Sequence, residues 1–111
     1  MRGKNRNVRA VTLEGKGILT LKDYPYPELK KGCAIIKMEY SGICGTDKHS
    51  FQGFFEQKGG RPIPLPVIQG HENVGLIEEI EGELLDHDGN ELRVGDRVVP
   101  APNISCGKCY A

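Results

Sequence analysis

Glycine and proline recur along the whole chain, and this spacing confines regular secondary structure to short segments. The sequence holds 15 Gly and 7 Pro but only 3 Phe, 4 Tyr and no Trp. Such a composition is typical of many turns and short strands rather than long helices. Because the chain has 111 residues, it has room for one domain with its own core. We therefore expect a single, mainly β domain.

The charge balance argues against several classes of partner. Basic and acidic residues number 15 each, which gives a formal net charge of zero, so nothing favours nucleic acid or an acidic partner. No apolar run approaches the roughly 18 residues of a membrane span, and no apolar signal core follows the polar start. We expect a cytoplasmic protein that binds neither nucleic acid nor membranes, with cysteines kept as thiols or thiolates rather than disulfides.

Runs rich in β-forming residues predict strands in the first third of the chain. Residues 8–14 and 18–22 flank a Gly-Lys-Gly turn and predict a hairpin, preceded by a flexible arm over residues 1–7. The strongest strand pattern covers residues 33–40. Cys33 opens this strand, and burial statistics for thiols predict that it is buried.

Turn residues divide the remainder of the chain into short elements. Residues 53–66 hold three glycines and three prolines, which predicts an irregular loop of the kind that builds substrate walls. A strand is predicted over residues 72–80, then a polar hairpin over residues 83–91, centred on an Asp-Gly turn. A turn and a short strand are predicted over residues 94–100.

Two candidate zinc ligands stand beside glycines. Cys44 precedes a predicted short helix over residues 46–52, with Thr46 or Asp47 as its N-cap, and His71 precedes the predicted strand at residue 72. Thiolate and imidazole are ligand types that Zn²⁺ selects, and Asp47 is a candidate acceptor for the other ring N–H of His71. Taken singly, each residue is more often a buried thiol or a hydrogen-bonded histidine.

Three longer runs resemble the zinc-containing medium-chain alcohol and polyol dehydrogenases. These runs are Gly42-Ile43-Cys44-Gly45-Thr46-Asp47, Leu65-Pro66-Val67-Ile68-Gln69-Gly70-His71-Glu72 and Val94-Gly95-Asp96-Arg97-Val98-Val99-Pro100. The resemblance implies a GroES-like catalytic domain over residues 8–111, folded as a strongly bent β-barrel with one or two short helices. It also implies a homo-oligomeric parent enzyme. A Rossmann domain outside these residues would hold most of the NAD or NADP.

The resemblance also implies roles for single residues. Cys44 and His71 match the catalytic zinc ligands, and Glu72 matches a glutamate that is a ligand in some members, notably of the polyol branch. Thr46 and His49 match successive steps of the proton relay. The implied reaction is oxidation of a primary or secondary alcohol, or a polyol, to a carbonyl through a zinc alkoxide and hydride transfer.

A second zinc site is implied at the end of the chain. Cys106 and Cys109 match the first half of the family's structural zinc lobe, in which four cysteines recur at short spacing. A Cys-x₂-Cys pair is also the thioredoxin-type redox motif, but the βαβ setting of that motif is not evident here.

The sequence departs from the family pattern in one hairpin, and a separate residue, Gly45, bears on the substrate. The hairpin over residues 83–91 is longer than the usual connection and is predicted to be a surface insertion. Gly45 follows the zinc cysteine, as in the polyol and threonine dehydrogenase branch. A competing interpretation is a stand-alone GroES-like module that binds a metal or a partner chain and has no redox activity.

Overall fold

The structure is a computed structural model that describes residues 6–53 and 64–102. In these residues the elements are β1 (Asn7–Gly15), β2 (Ile18–Pro25), β3 (Cys33–Gly42), α1 (Gly45–Phe51), β4 (Glu72–Glu81) and β5 (Arg97–Val98). The strands form a two-stranded sheet, β1-β2, and a three-stranded sheet, β3-β4-β5, with antiparallel pairing throughout. The fold is mainly β with one short helix, as predicted, although the described strands do not close a barrel. In this part of the chain, no helix has the length and apolar character needed to cross a membrane.

The predicted N-terminal hairpin is confirmed. Its register runs from Asn7 opposite Pro25 to Leu13 opposite Leu19, with a bulge before Gly15. Gly17 in the turn has a φ of 72°, a left-handed conformation that residues with a Cβ rarely adopt. Both strands are slightly longer than predicted.

The pairing of β3 with β4 contains two bulges, and the extra residue in each is a glutamate. Ile35 pairs with Glu79 and Ile36 with Ile77, so Glu78 is the unpaired residue of β4. By the same reasoning, Glu39 is unpaired in β3. A bulge redirects side chains and bends the strand locally. Glu39 accordingly reaches Arg97 of β5, whose Nε lies 2.8 Å from its carboxylate.

Tyr26 ties the chain after β2 to β4. Its hydroxyl lies 2.9 Å from Oε2 of Glu78 and 2.6 Å from Oε2 of Glu79, and it donates its proton to one of them at a time. Burial, reinforced by these carboxylates, raises the pKa of Tyr26. The same hydrogen bond, together with the Arg6 guanidinium, lowers the pKa of Glu78. Tyr26 therefore joins the residue after β2 to β4 through its hydroxyl.

The hydrophobic core of the described residues is small. Leu13 and Ile77 are its buried members, at 1% and 2% exposure. Leu13 also exchanges two backbone hydrogen bonds with Val67, of 2.8 and 3.0 Å, so the first hairpin is fastened to the segment that leads to β4. Cys33 is exposed rather than buried as predicted, because it pairs with Glu81 at the open end of the β3-β4 ladder.

Most turns in the second half of the chain follow the prediction. Leu85 and Glu91 form a bridge across the predicted polar hairpin, and Asp86 accepts hydrogen bonds from the backbone N–H groups of Asp88 and Asn90. These bonds lower the pKa of Asp86, with Asn90 the largest contributor. Most of the predicted proline-rich loop, residues 54–63, lies outside the described residues, as do residues 1–5 of the predicted arm.

Candidate metal centre

The candidate site lies where one end of the β3-β4 ladder meets the start of α1. The last pair in this ladder is Gly42 opposite Glu72. Cys44 follows the end of β3 by two residues, and His71 immediately precedes β4. Antiparallel pairing brings the end of one strand beside the start of its partner. The pairing of β3 with β4 is therefore enough to bring Cys44 and His71 close together.

Cys44 is also the N-cap of the helix. Its backbone is extended, with φ −103° and ψ 173°, and its N–H donates to Oδ2 of Asp47 at 3.1 Å. A carboxylate that reaches back to the N-cap N–H is half of a capping box. The prediction of Thr46 or Asp47 as N-cap is therefore wrong, because Asp47 is the third helical residue and satisfies the amide of Cys44 instead.

The donor atoms of Cys44 and His71 are close together. The Sγ atom lies 3.2 Å from Nε2 and 3.9 Å from Nδ1 of the imidazole. A tetrahedral zinc with ordinary Zn–S and Zn–N bonds separates its sulfur and nitrogen ligands by roughly 3.5 Å. The thiol and imidazole therefore fit a shared zinc ion in both chemistry and spacing.

Asp47 completes a group of three potential ligands. One ligand atom from each of Cys44, Asp47 and His71 lies within 4.8 Å of the other two. The carboxylate Oδ1 is 3.9 Å from Nδ1 of His71, which is too far for a direct hydrogen bond. The side chain of Asp47 is 14% exposed and that of His71 is 40% exposed, so the group is closed on the helix side and open on the imidazole side.

The remaining predicted site residues lie at different places. Glu72 is the first residue of β4, and a Cβ on Gly42 would lie 3.1 Å from its Oε2 atom; its carboxylate therefore lies beside β3 and is not in the three-residue group. Thr46 is exposed on the second residue of α1, and His49 is half-buried in the last turn. Cys106 and Cys109 lie outside the described residues.

Two polar residues near the site were not predicted from the sequence. Ser41 and Asn73 face each other across the β3-β4 ladder, and the serine hydroxyl donates to Oδ1 of Asn73 at 2.7 Å. The amide Nδ2 of Asn73 donates to the carbonyl of Gly70 at 3.2 Å. In the sequence, the only sign of these residues is that each lies within three positions of a candidate ligand. Their contact depends on the register of the ladder, which the sequence pattern does not reveal.

A largely apolar cleft adjoins the site. Its volume is about 520 Å³, and Asp47 and Lys48 provide charged groups at its wall. The cleft lies between the first hairpin, α1 and the segment before His71, where its lining includes Val11, Leu13, Leu19, Ile43, Phe51 and Gly70. One wall of the cleft is therefore shared with the candidate metal centre, through Asp47.

Comparison with known proteins defines the class. Residues 30–111 match the family model of the alcohol dehydrogenase GroES-like domain. A protein of Haemophilus influenzae, named an uncharacterized zinc-type alcohol dehydrogenase-like protein, is 38% identical over 93% of this chain and 28% of its own length. An alcohol dehydrogenase structure from Thermotoga maritima superimposes with a TM-score of 0.82 at 33% identity, over 96% of this chain and 28% of that chain.

A further similar structure contains a bound nicotinamide cofactor. It is an alcohol dehydrogenase from E. coli CFT073 complexed with NADH, with a TM-score of 0.72 and 29% identity over 94% of this chain and 27% of that chain. The chain thus spans about a quarter of the length of these relatives. It belongs to the family of alcohol dehydrogenase GroES-like domains.

Proposed function

We propose that residues 8–111 are the zinc-binding catalytic domain of a cytoplasmic alcohol or polyol dehydrogenase. The observation that carries the proposal is the 3.2 Å approach of Cys44 Sγ to Nε2 of His71. Either residue alone has an ordinary structural explanation, but a thiol and an imidazole that meet at zinc-ligand spacing beside a carboxylate are typical of a metal centre.

The donor set favours zinc over harder cations. One thiolate and one imidazole suit Zn²⁺, whereas Mg²⁺ and Ca²⁺ prefer all-oxygen sites. Cys44 and His71 would hold the ion, and Asp47 or Glu72 would supply a further oxygen. The ion would act as a Lewis acid toward the hydroxyl of an alcohol substrate.

Residues of α1 would handle the substrate proton. We assign Thr46 to hydrogen bonding with the reacting hydroxyl, because Thr46 is an exposed residue in the first turn of the helix that Cys44 caps. His49, half-buried in the last turn of the same helix, would pass the proton on to solvent as the next group of the relay. Hydride would be accepted by NAD or NADP held mainly by a Rossmann domain outside these residues. The NADH complex of the E. coli relative supports this cofactor class.

Metal analysis with two cysteine variants tests the proposal. Cys44→Ala removes the sulfur ligand, and we expect zinc content after dialysis to fall from about one ion per chain to a small fraction, because only nitrogen and oxygen donors would remain. Cys33→Ala is the matched control, since Cys33 is exposed at the start of β3, the strand that precedes Cys44. Equal zinc retention in both variants would eliminate the metal centre.

The competing function is a module that binds metal without redox activity. It predicts the same zinc result but no alcohol oxidation by a longer polypeptide that carries this domain. Alcohol-dependent reduction of NAD or NADP by such a polypeptide, lost on Cys44→Ala, would support the dehydrogenase.

A further inference from the structure

The segment that leads to His71 is held by a side-chain hydrogen bond from Asn73 of β4, and the Asn73 amide is in turn bonded to β3. Asn73 accepts from Ser41 of β3 at 2.7 Å and donates to the carbonyl of Gly70 at 3.2 Å. Its amide therefore connects β3 to the peptide that directly precedes the imidazole. Among the described hydrogen bonds, this is the side-chain route from β3 to the backbone beside His71.

The geometry of Gly70 makes this connection short. Gly70 has a φ of 129°, and a Cβ at this position would lie 2.7 Å from Oγ of Ser41, closer than real Cβ contacts allow. The missing side chain lets the backbone pass against the serine hydroxyl. The hydrogen bond from Asn73 and the close approach of Ser41 therefore both restrain the backbone of Gly70.

We propose that Asn73 is a positioning residue, which orients His71 toward Cys44 through the Gly70 carbonyl, with Ser41 holding its amide in place. The inference rests on the proposed metal centre and adds to it a polar link that is not a ligand. Groups that orient ligands by hydrogen bonding commonly change metal affinity by about 10- to 100-fold when they are removed. Asn73 acts through the backbone rather than on the imidazole itself, so the lower end of that range applies.

Cobalt(II) titration of the 111-residue chain tests the proposal, because cobalt replaces zinc and absorbs visible light. Every form carries Cys106→Ser and Cys109→Ser, so that the second candidate pair of metal-binding thiols cannot contribute to the spectrum. We expect Asn73→Ala to weaken cobalt binding about tenfold. The thiolate-to-cobalt charge-transfer band should persist at saturation, because Cys44 is still present, while the ligand-field bands change with the altered position of the imidazole. Asn90→Ala is the matched control, since Asn90 is an exposed asparagine in the separate hairpin over residues 83–91.

Ser41 provides an independent variant. Ser41→Ala should weaken cobalt binding, whereas Ser41→Thr, which keeps the hydroxyl, should restore most of the affinity. The double variant Ser41→Ala with Asn73→Ala should lose less than the product of the two single losses, because both residues act through one chain of hydrogen bonds. Circular dichroism of each metal-free variant identifies any that fails to fold, and Ser41→Ala keeps the test open if Asn73→Ala is such a case.

Two results would overturn the inference in distinguishable ways. If Cys44→Ala abolishes the charge-transfer band while Asn73→Ala and Ser41→Ala bind cobalt with parental affinity and spectrum, the metal centre stands and the positioning role is wrong. If the band survives Cys44→Ala, the metal centre is wrong and the positioning role fails with it.

Discussion

At the residue scale, the first turn of α1 combines a structural and a chemical task. Cys44 caps the helix through the Asp47 carboxylate and also presents its sulfur to His71. Thr46 lies between these two residues of the turn and is exposed. Because Cys44 and Asp47 form the cap, the Thr46 hydroxyl is not needed as an N-cap, which is consistent with the proposed hydrogen bond to a substrate hydroxyl.

The proposed role of the Thr46 hydroxyl can be tested with one variant that removes the hydroxyl but keeps the shape of the side chain, and another that keeps the hydroxyl. In a dehydrogenase polypeptide that includes this domain, Thr46→Val should reduce turnover by about 10² to 10⁴, the usual loss for one positioned acid-base group. Thr46→Ser keeps the hydroxyl and should retain most activity. Turnover is measured against pH, with zinc content checked in each form. Parental turnover in a zinc-loaded valine form would show that the proton leaves by another route.

At the scale of elements, the β3-β4 ladder positions the candidate site. The ladder depends on the close approach of the Gly75 backbone to β3. A Cβ on this residue would lie 2.4 Å from the carbonyl oxygen of Lys37 and 2.6 Å from Cγ2 of Ile36. Gly75 also pairs with Val98 of β5. A side chain here would push apart the central strand and its neighbour.

Gly75→Ala should therefore lower the free energy of unfolding by about 1 to 3 kcal/mol, as overpacking does in other cores. Gly45→Ala is the control, because a Cβ at the start of α1 meets nothing within 4 Å, so stability should hold or rise by less than about 1 kcal/mol. Urea denaturation followed by circular dichroism compares the two. Equal midpoints for Gly75→Ala and the parent chain would mean that the strands adjust without cost.

Elements and candidate ligands were predictable from local pattern, whereas their exact pairing was not. The first hairpin, β3 and β4 follow from runs of β-forming residues between glycines, and the juxtaposition of Cys44 and His71 follows the family resemblance. The bulges at Glu39 and Glu78 depend on how two strands pair, which no local pattern encodes. The exposure of Cys33 and the contact of Ser41 with Asn73 have the same origin.

At the scale of the whole molecule, few of the side chains that the structure describes form the core. Leu13 is 1% exposed, while Leu21 on the same hairpin is 60% exposed. Several other large apolar side chains are also half-exposed or more, including Val11, Ile18 and Leu19. The loss of one buried side chain should therefore have a large relative effect.

Leu13→Ala should cost about 2 to 5 kcal/mol, a large part of the about 5 to 15 kcal/mol that stabilises a typical domain. Leu21→Ala removes the same atoms from an exposed position, and its cost should stay near 0.5 kcal/mol. Thermal and urea unfolding of both variants provide the comparison. Similar losses in the two variants would mean that the exposed face of the hairpin is covered in solution.

Cys44 and His71 flank the end of the ladder at Gly42 and Glu72. Binding at the proposed metal centre should therefore depend on the register in which β3 and β4 pair. A slip of one residue moves a strand by about 3.4 Å and turns its side chains to the opposite face, a displacement as large as the 3.2 Å that separates Sγ of Cys44 from Nε2 of His71. A misaligned chain would separate the two donors by about the length of one residue and bind the ion poorly. Metal binding at the proposed centre would therefore favour one alignment of β3 and β4 over its neighbours, and zinc present during synthesis would raise the yield of correctly paired chains.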